Sequence, residues 1–448
     1  MSCEVRNRRL RVAIALTAAL ASAGAVAQTA PAAATSPAKA DDGGFSFAVT
    51  GGASYSDNVA RTPTDEQEGT IGRAGVELGY EQRTRRLDAD IDLNTGYEHY
   101  FDDEFDSDVV GGVDATLNVG LVPERFLWFF QENFGQITSD PFAASTPDNR
   151  ENVNYFTTGP DLILNFGSAT SFRASARYSD LKYEVTETDG EQYGATLSLI
   201  RRLSGTASLS LNAEGEQFEF DNKLLNTDYD RYQGFLRYEL QGSRTTLSVD
   251  GGYTTLDMDG ETSDGLLGRV SLSRRLSPAS TLSFGLGQQF SDSGDIFREG
   301  QNTRGVSLDS ENVIGTSDPF ESRSASLGYD FNRNRTTFGV SVSYGKESYE
   351  TQTDLDRDVT TYGAYFSRQL SRVMDLRIFA SLEQEEFEAT NFEDDELRAG
   401  AYLNWALGRT LSLRLQYDRF DRESTDAGTE YTENQASLFL IWSPLDRS

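Results

Sequence analysis

Leu87–Tyr97 reads LDADIDLNTGY: Leu87, Ala89, Ile91, Leu93 and Tyr97 alternate with Asp88, Asp90, Asp92 and Asn94. A period of two puts every apolar side chain on one face of a strand and every polar one on the other, whereas a helix would scatter both around its girth. The same alternation runs through Phe45, Phe47, Val49, Ala53 and Tyr55. It returns in Phe338, Val340, Val342 and Tyr344 against Thr337, Gly339, Ser341 and Ser343, and in Ala436, Leu438, Leu440 and Trp442. From Gly43 onward the chain is a succession of such runs, each about ten residues long, the length a tilted strand needs to cross a bilayer.

The connections alternate as well. Short ones fall at Arg83–Arg86, Val122–Arg125, Gly167–Ala169, Gln241–Arg244, Asn332–Arg335 and Gly408–Arg409. Longer, acidic ones lie between them: DNVARTPTDEQEGT from Asp57, FDDEFDSD from Phe101, ETDGEQ from Glu187, DMDGETSD from Asp257 and DRESTDAGTE from Asp421. Two are longer still, Ile137–Glu151 and Ser293–Pro319. The count is 20 strands, with ten long and nine short connections, or 18 strands if marginal pairs merge. SLIRRLSGTASLSL from Ser198, SLSRRLSPASTLSF from Ser271 and YFSRQLSRVMDLRI from Tyr365 repeat one unit of strand, basic turn and returning strand.

A soluble sandwich rarely needs so many strands in one hairpin rhythm. A transmembrane barrel needs that rhythm, with short turns at one end and long loops at the other. Tyr55, Tyr80, Tyr97, Tyr100, Phe126, Trp128, Tyr178, Tyr344, Tyr417 and Trp442 stand near strand ends, where interfacial aromatic girdles belong. In lipid no sheet edge stays open, so the strands close. The fold expected is all-β: a transmembrane antiparallel up-and-down β-barrel over residues 43–448 with no plug domain, because so little chain precedes the first strand.

Residues 1–27 read as a secretory signal: Arg6, Arg8, Arg9 and Arg11, an apolar run from Val12 to Ala21, then Ala25-Val26-Ala27 as a small-x-small cleavage site. Residues 28–42, QTAPAAATSPAKADD, form a flexible Ala/Pro-rich leader. Cys3 leaves with the signal, so the mature chain has no cysteine. The 448 residues carry 71 acidic and 40 basic side chains, a net of −31, or −34 once four Arg and one Glu are removed with the signal. Such a charge argues against a nucleic-acid partner. One Cys and one His leave no material for a disulfide framework or a His-based metal site. A mean hydropathy of −0.50 excludes a bundle of apolar transmembrane helices.

With the apolar register facing lipid, the other register lines the lumen. The candidates there are Arg73, Asp88, Asp90, Asp92, Asp114, Arg173, Arg177, Glu214, Arg231, Arg237, Asp250, Arg269, Arg377, Arg398 and Arg414. Asp88, Asp90 and Asp92 make the clearest local field and favour cations at a constriction, with Arg173 and Arg177 as an offset nearby. Cross-strand pairing of polar groups is expected of any wet interior, so no single one of these residues identifies a solute. An open lumen and a lumen filled by loops are both compatible with the pattern. Ile137–Glu151 and Ser293–Pro319 are the loops long enough to reach the axis.

No catalytic constellation, cofactor site or metal site is found. His99 falls on the lipid-facing register with Thr95 and Tyr97 and without a serine near it on that strand face, so it reads as a polar member of the aromatic belt. Asp257-Met258-Asp259-Gly260-Glu261 resembles part of a calcium loop but lacks the other ligands at their spacing.

GGASYSDNVARTPTDEQEGTI from Gly51, QENFGQITSDPFAASTPDNRENVNYFTTGPDLIL from Gln131, and the RRLS turns at Arg201 and Arg274 together resemble the β-barrel porin type 2 group. Within it, they are similar to outer-membrane proteins associated with the PEP-CTERM system. The resemblance implies a Gram-negative outer-membrane barrel associated with exopolysaccharide synthesis and export. The expectations are therefore a non-enzymatic, passive conduit for exopolysaccharide, or a general diffusion porin, or a non-conducting structural or adhesive barrel. Expected partners are outer-membrane lipid and lipopolysaccharide, the barrel-assembly machinery and a polysaccharide export protein.

Overall fold

The computed structural model describes residues 44–102, 104–302, 313–390 and 392–444. The expected signal and leader lie outside the described residues. Twenty strands follow one another: β1 (Gly44–Ser56), β2 (Gly69–Arg83), β3 (Leu87–Tyr100), β4 (Asp108–Val122), β5 (Phe126–Thr138), β6 (Arg150–Phe166), β7 (Thr170–Tyr183), β8 (Gly190–Arg202), β9 (Ala207–Phe220) and β10 (Tyr229–Gln241). The second half is β11 (Thr245–Met258), β12 (Glu261–Ser277), β13 (Ser280–Ser291), β14 (Phe320–Arg333), β15 (Thr336–Tyr349), β16 (Arg357–Gln369), β17 (Met374–Phe387), β18 (Phe392–Ala406), β19 (Leu411–Ser424) and β20 (Tyr431–Trp442). Among the described residues one helix is longer than a turn, α1 (Ser293–Asn302), between β13 and β14.

Each strand pairs antiparallel with its sequence neighbours, and β1 pairs with both β2 and β20, so one sheet of 20 strands closes on itself. The closing seam runs in register from Val49 opposite Trp442 to Ser56 opposite Gln435. Its interior side is laced by a Ser54–Ser437 hydroxyl pair at 2.7 Å and by Ser56 donating to Glu433 at 2.7 Å. With strands ~4.8 Å apart and tilted ~40°, twenty of them enclose a bore roughly 40 Å across at the backbone.

The apolar register faces out and stays exposed: Leu197 (50%), Leu266 (61%), Val340 (53%) and Leu438 (49%) leave about half or more of their surface uncovered by protein. An apolar band of this extent is covered by lipid. Strands run to 12–17 residues, longer than a bilayer crossing requires. They project as hairpins past the apolar band. At Asp257–Asp264 the expected acidic loop is almost all strand, because Asp259 (φ 54°) and Gly260 (φ 81°) supply the two left-handed residues of a tight hairpin turn. Tyr100 also departs from expectation. It is buried on the interior register with Val59, Ile71 and Phe105 and belongs to no girdle.

Candidate functional site: a mouth filled by two loops

All fifteen residues expected on the lumen face stand on the interior register, and most Arg are taken by acids across strands. Arg73 donates to Glu98 (2.8 Å), Ser54 (2.7 Å) and Gln435 (3.2 Å). Asp250 holds Arg237 (2.8 Å) and Arg269 (2.9 Å), with both guanidiniums against the Phe235 ring. Arg377 lies over Tyr365, Arg398 over Phe420, and Arg414 over Tyr402 while donating to Asn404 at 2.8 Å. Glu214 faces Gln233 across β9 and β10. Asp88, Asp90 and Asp92 form an acidic strip toward the short-turn end, and Asp114 pairs opposite Asp92. Arg173 and Arg177 do not offset that strip. Asp161 on β6 takes both, at 2.7 and 2.8 Å, because it stands on the strand directly beside theirs.

At the long-loop end the interior register changes character. Val153, Tyr155, Tyr183, Phe218, Phe220, Tyr229, Leu256, Phe387 and Phe392 point inward and are buried there. Buried aromatics inside a water-filled bore require something packed on them, and two loops provide it.

The first is the β13–β14 connection. Asp292 accepts from the Asp295 amide at 2.9 Å, capping the start of α1, and Ser293 ties the loop base by donating to the Ile314 and Thr316 carbonyls. Phe297, 1% exposed, inserts among Ile137, Val153, Tyr155, Tyr183 and Val313. Arg231, reaching in from β10, donates to Glu216 at 2.6 Å, Asp295 at 2.7 Å and the Phe290 carbonyl at 3.2 Å. Asp292 Oδ2 lies 3.4 Å from Arg231 Nη1 without a hydrogen bond of its own. Arg298 pairs with Asp295 and lies over the Tyr155 ring at 4.5 Å.

The second is the β5–β6 connection, which crosses toward the opposite wall. Phe142 meets Phe387 at 4.6 Å and Phe392 at 5.5 Å between ring centroids. Arg422 donates to the Ala143 carbonyl at 2.8 Å, and Arg61, itself paired with Glu433 at 2.9 Å, donates to the Ser145 carbonyl. The two loops touch through the parallel bridge between Thr138 and Ile314, and Ile314 packs with Phe387 and Phe392. The mouth at the long-loop end is thus crossed from both sides by the chain's own segments.

Around α1 two guanidiniums, Arg231 and Arg298, face three carboxylates, Glu216, Asp292 and Asp295. Burial, with Asp295 beside it, pushes the Asp292 carboxyl up, well above the ordinary carboxylate range. Burial works the same way on Asp295, but Arg231 and Arg298 outweigh it and hold that carboxyl low. A carboxyl raised in the packed state stabilises that state while protonated and ceases to as pH rises through its shifted value. Asp295 would act oppositely, but only in strong acid. The loop should therefore hold best in mild acid and loosen as pH climbs past the ordinary carboxylate range. Single-channel recordings across that span should show conductance rising with pH, and the Asp292→Asn variant should flatten the trend.

Glu98, Glu216, Asp292, Asp295, Arg61 and Arg422 were not among the expected site residues. Their signal was inverted hydrophobicity near strand ends, as in QFEF at Gln217–Phe220, where Phe218 and Phe220 continue the polar register of Asn212 and Glu214.

No serine shares the strand face of His99, but a loop serine reaches it. Its Nδ1 is 2.7 Å from Ser107 Oγ, because the loop between β3 and β4 returns Ser107 to the height of His99. Tyr97 and Phe101 flank the imidazole. Among the described residues no group of three or more His, Cys, Asp or Glu side chains is placed to hold a metal ion.

No curated protein matches the chain. Similar solved structures include a mutant of the ferric enterobactin receptor PfeA from Pseudomonas aeruginosa, at 11% identity, covering 89% of this chain and 80% of that one with a TM-score of 0.46. Another is the apoprotein form of the FrpB iron transporter from Neisseria meningitidis, at 10% identity, 90% and 82% coverage and a TM-score of 0.48. The family model described as "Putative beta-barrel porin 2" matches residues 356–441, which run from the start of β16 almost to the end of β20, and with the closed barrel this makes the chain an outer-membrane-type, porin-like β-barrel.

Proposed function

We propose that the protein is a non-enzymatic, passive outer-membrane conduit for exported polysaccharide, kept shut at its long-loop mouth until the two inward loops yield. The observation that carries the conduit reading is the interior register. It carries guanidiniums, carboxylates and amides from the short-turn end up to the loops, interleaved with inward rings such as Phe129, Phe235, Phe379 and Phe439, and those polar groups can exchange hydrogen bonds with hydroxyl-rich solutes. The polysaccharide class rests on the family resemblance, and a periplasmic export protein would deliver the polymer.

Deleting the gene should abolish surface polysaccharide while intracellular synthesis continues. Unchanged surface sugar, together with uptake of small solutes through the purified barrel, would instead favour a diffusion porin. In planar bilayers the refolded mature chain should be nearly silent at first, with rare openings that a charged oligosaccharide blocks. Permanent silence even after the loops are removed would leave a structural barrel.

A further inference from the structure

The two ends of the barrel differ in charge. The long loops are acidic, whereas seven of the nine short turns carry an arginine in the turn or on a strand-terminal residue beside it, with no lysine and one acid, Glu124, at those positions; Asp88 and Asp375 stand one residue further in. Four of these arginines share a placement. Arg201, Arg274, Arg333 and Arg368 continue the outward register exactly two residues beyond Leu199, Leu272, Phe331 and Phe366. Two residues of strand advance about 7 Å, the step from the apolar band to the headgroup layer. All four are exposed and make no ion pair among the described residues, in a chain with 71 acidic side chains available. Uncompensated cations in so acidic a protein indicate a partner outside it.

We propose that this basic collar grips phosphodiester headgroups of the leaflet at the short-turn end and selects anionic phospholipid there. A guanidinium offers phosphate two parallel N–H donors while its methylenes lie along the apolar surface. A soluble acidic partner would be met by arginines aimed away from the membrane. These four stand instead on the lipid-facing register, so the lipid surface is the better fit. The inference does not depend on what crosses the bore.

The chain carries its own reporters. Its three tryptophans, Trp128, Trp405 and Trp442, all lie on the outward register at the short-turn ends of β5, β18 and β20. The barrel is reconstituted in phosphatidylcholine nanodiscs doped with a few per cent of either brominated phosphatidylglycerol or brominated phosphatidylcholine, and tryptophan quenching is compared. At about 1 kcal/mol for each cation at an anionic surface, the glycerol lipid should quench up to about five-fold more strongly at equal doping. Added salt should shrink the excess. The combined Arg→Gln change at all four positions should remove it, while the Arg→Lys set retains most of it, with heat-modified gel mobility verifying that each variant is folded. Equal quenching by the two lipids in the wild type overturns the proposal, and so does an excess that survives in the glutamine variant.

Discussion

Replacing Arg231 with methionine will turn a nearly silent barrel into a conducting one. Its side chain, 4% exposed, is the only link from the β10 wall to Glu216, Asp292 and Asp295 together among the described residues. Methionine fills much of the volume but leaves the buried Asp292 and the half-buried Asp295 and Glu216 facing one another with Arg298 alone to answer them. Breaking a buried ionic cluster from one side costs about 3–5 kcal/mol, because the charges left behind stay desolvated. The barrel wall does not carry that loss, since its ladders are intact. The loop carries it, by leaving the wall and exposing Phe297 to water. Single-channel conductance should rise several-fold, and trypsin should begin to cut at Arg298 while the barrel keeps its heat-modified gel shift. Unchanged conductance together with continued protection of the loop would mean that Phe297 and the aromatic cluster hold α1 without the charges.

The second large effect belongs to the seam. A Cβ at Gly52 would lie 2.1 Å from the Leu438 carbonyl oxygen and 2.6 Å from the Phe439 ring, so no side chain fits without moving the β20 backbone. Gly51, its neighbour, points outward and meets nothing within 4 Å. Gly52→Val should abolish closure, and the folded band in an unheated gel should disappear. Gly51→Val should leave that band unchanged, since its methyls enter the apolar band that faces lipid. Equal behaviour of the two variants would show that β1 and β20 are not held in the register described here.

The barrel was legible from period and punctuation because lipid imposes both: outward residues must be apolar, and chain reversals must fall outside the hydrocarbon. The strand count and all nine short turns followed from that. The site was legible only in part. Arg73, Arg231 and Asp250 could be placed on the interior face by counting in twos, but their partners depend on which strand lies alongside, and that led to the wrong neighbour for Arg173 and Arg177. Loop length marked Ile137–Glu151 and Ser293–Pro319 as able to reach inward without saying where they would land. The landing sites were written in the strands, in Val153, Tyr155, Phe218, Phe220, Phe387 and Phe392. These apolar side chains sit on a face that water alone would not reward. Reading each strand as uniformly polar on one side hid them. Ser107 was missed for a related reason, since its approach to His99 crosses a loop and not a strand face.

The seam also sets the order in which the molecule can be made. Every other pairing joins strands adjacent in the chain and can zip as each hairpin appears, whereas Ser54 and Ser437 are 383 positions apart. Closing so long a loop is entropically costly and is rewarded only after nineteen strands are already aligned. Until β20 arrives, the growing sheet has two free edges in a medium that tolerates none. Shortening the gene from its far end would therefore give not a narrower pore but an unsealed sheet, left for proteases to clear.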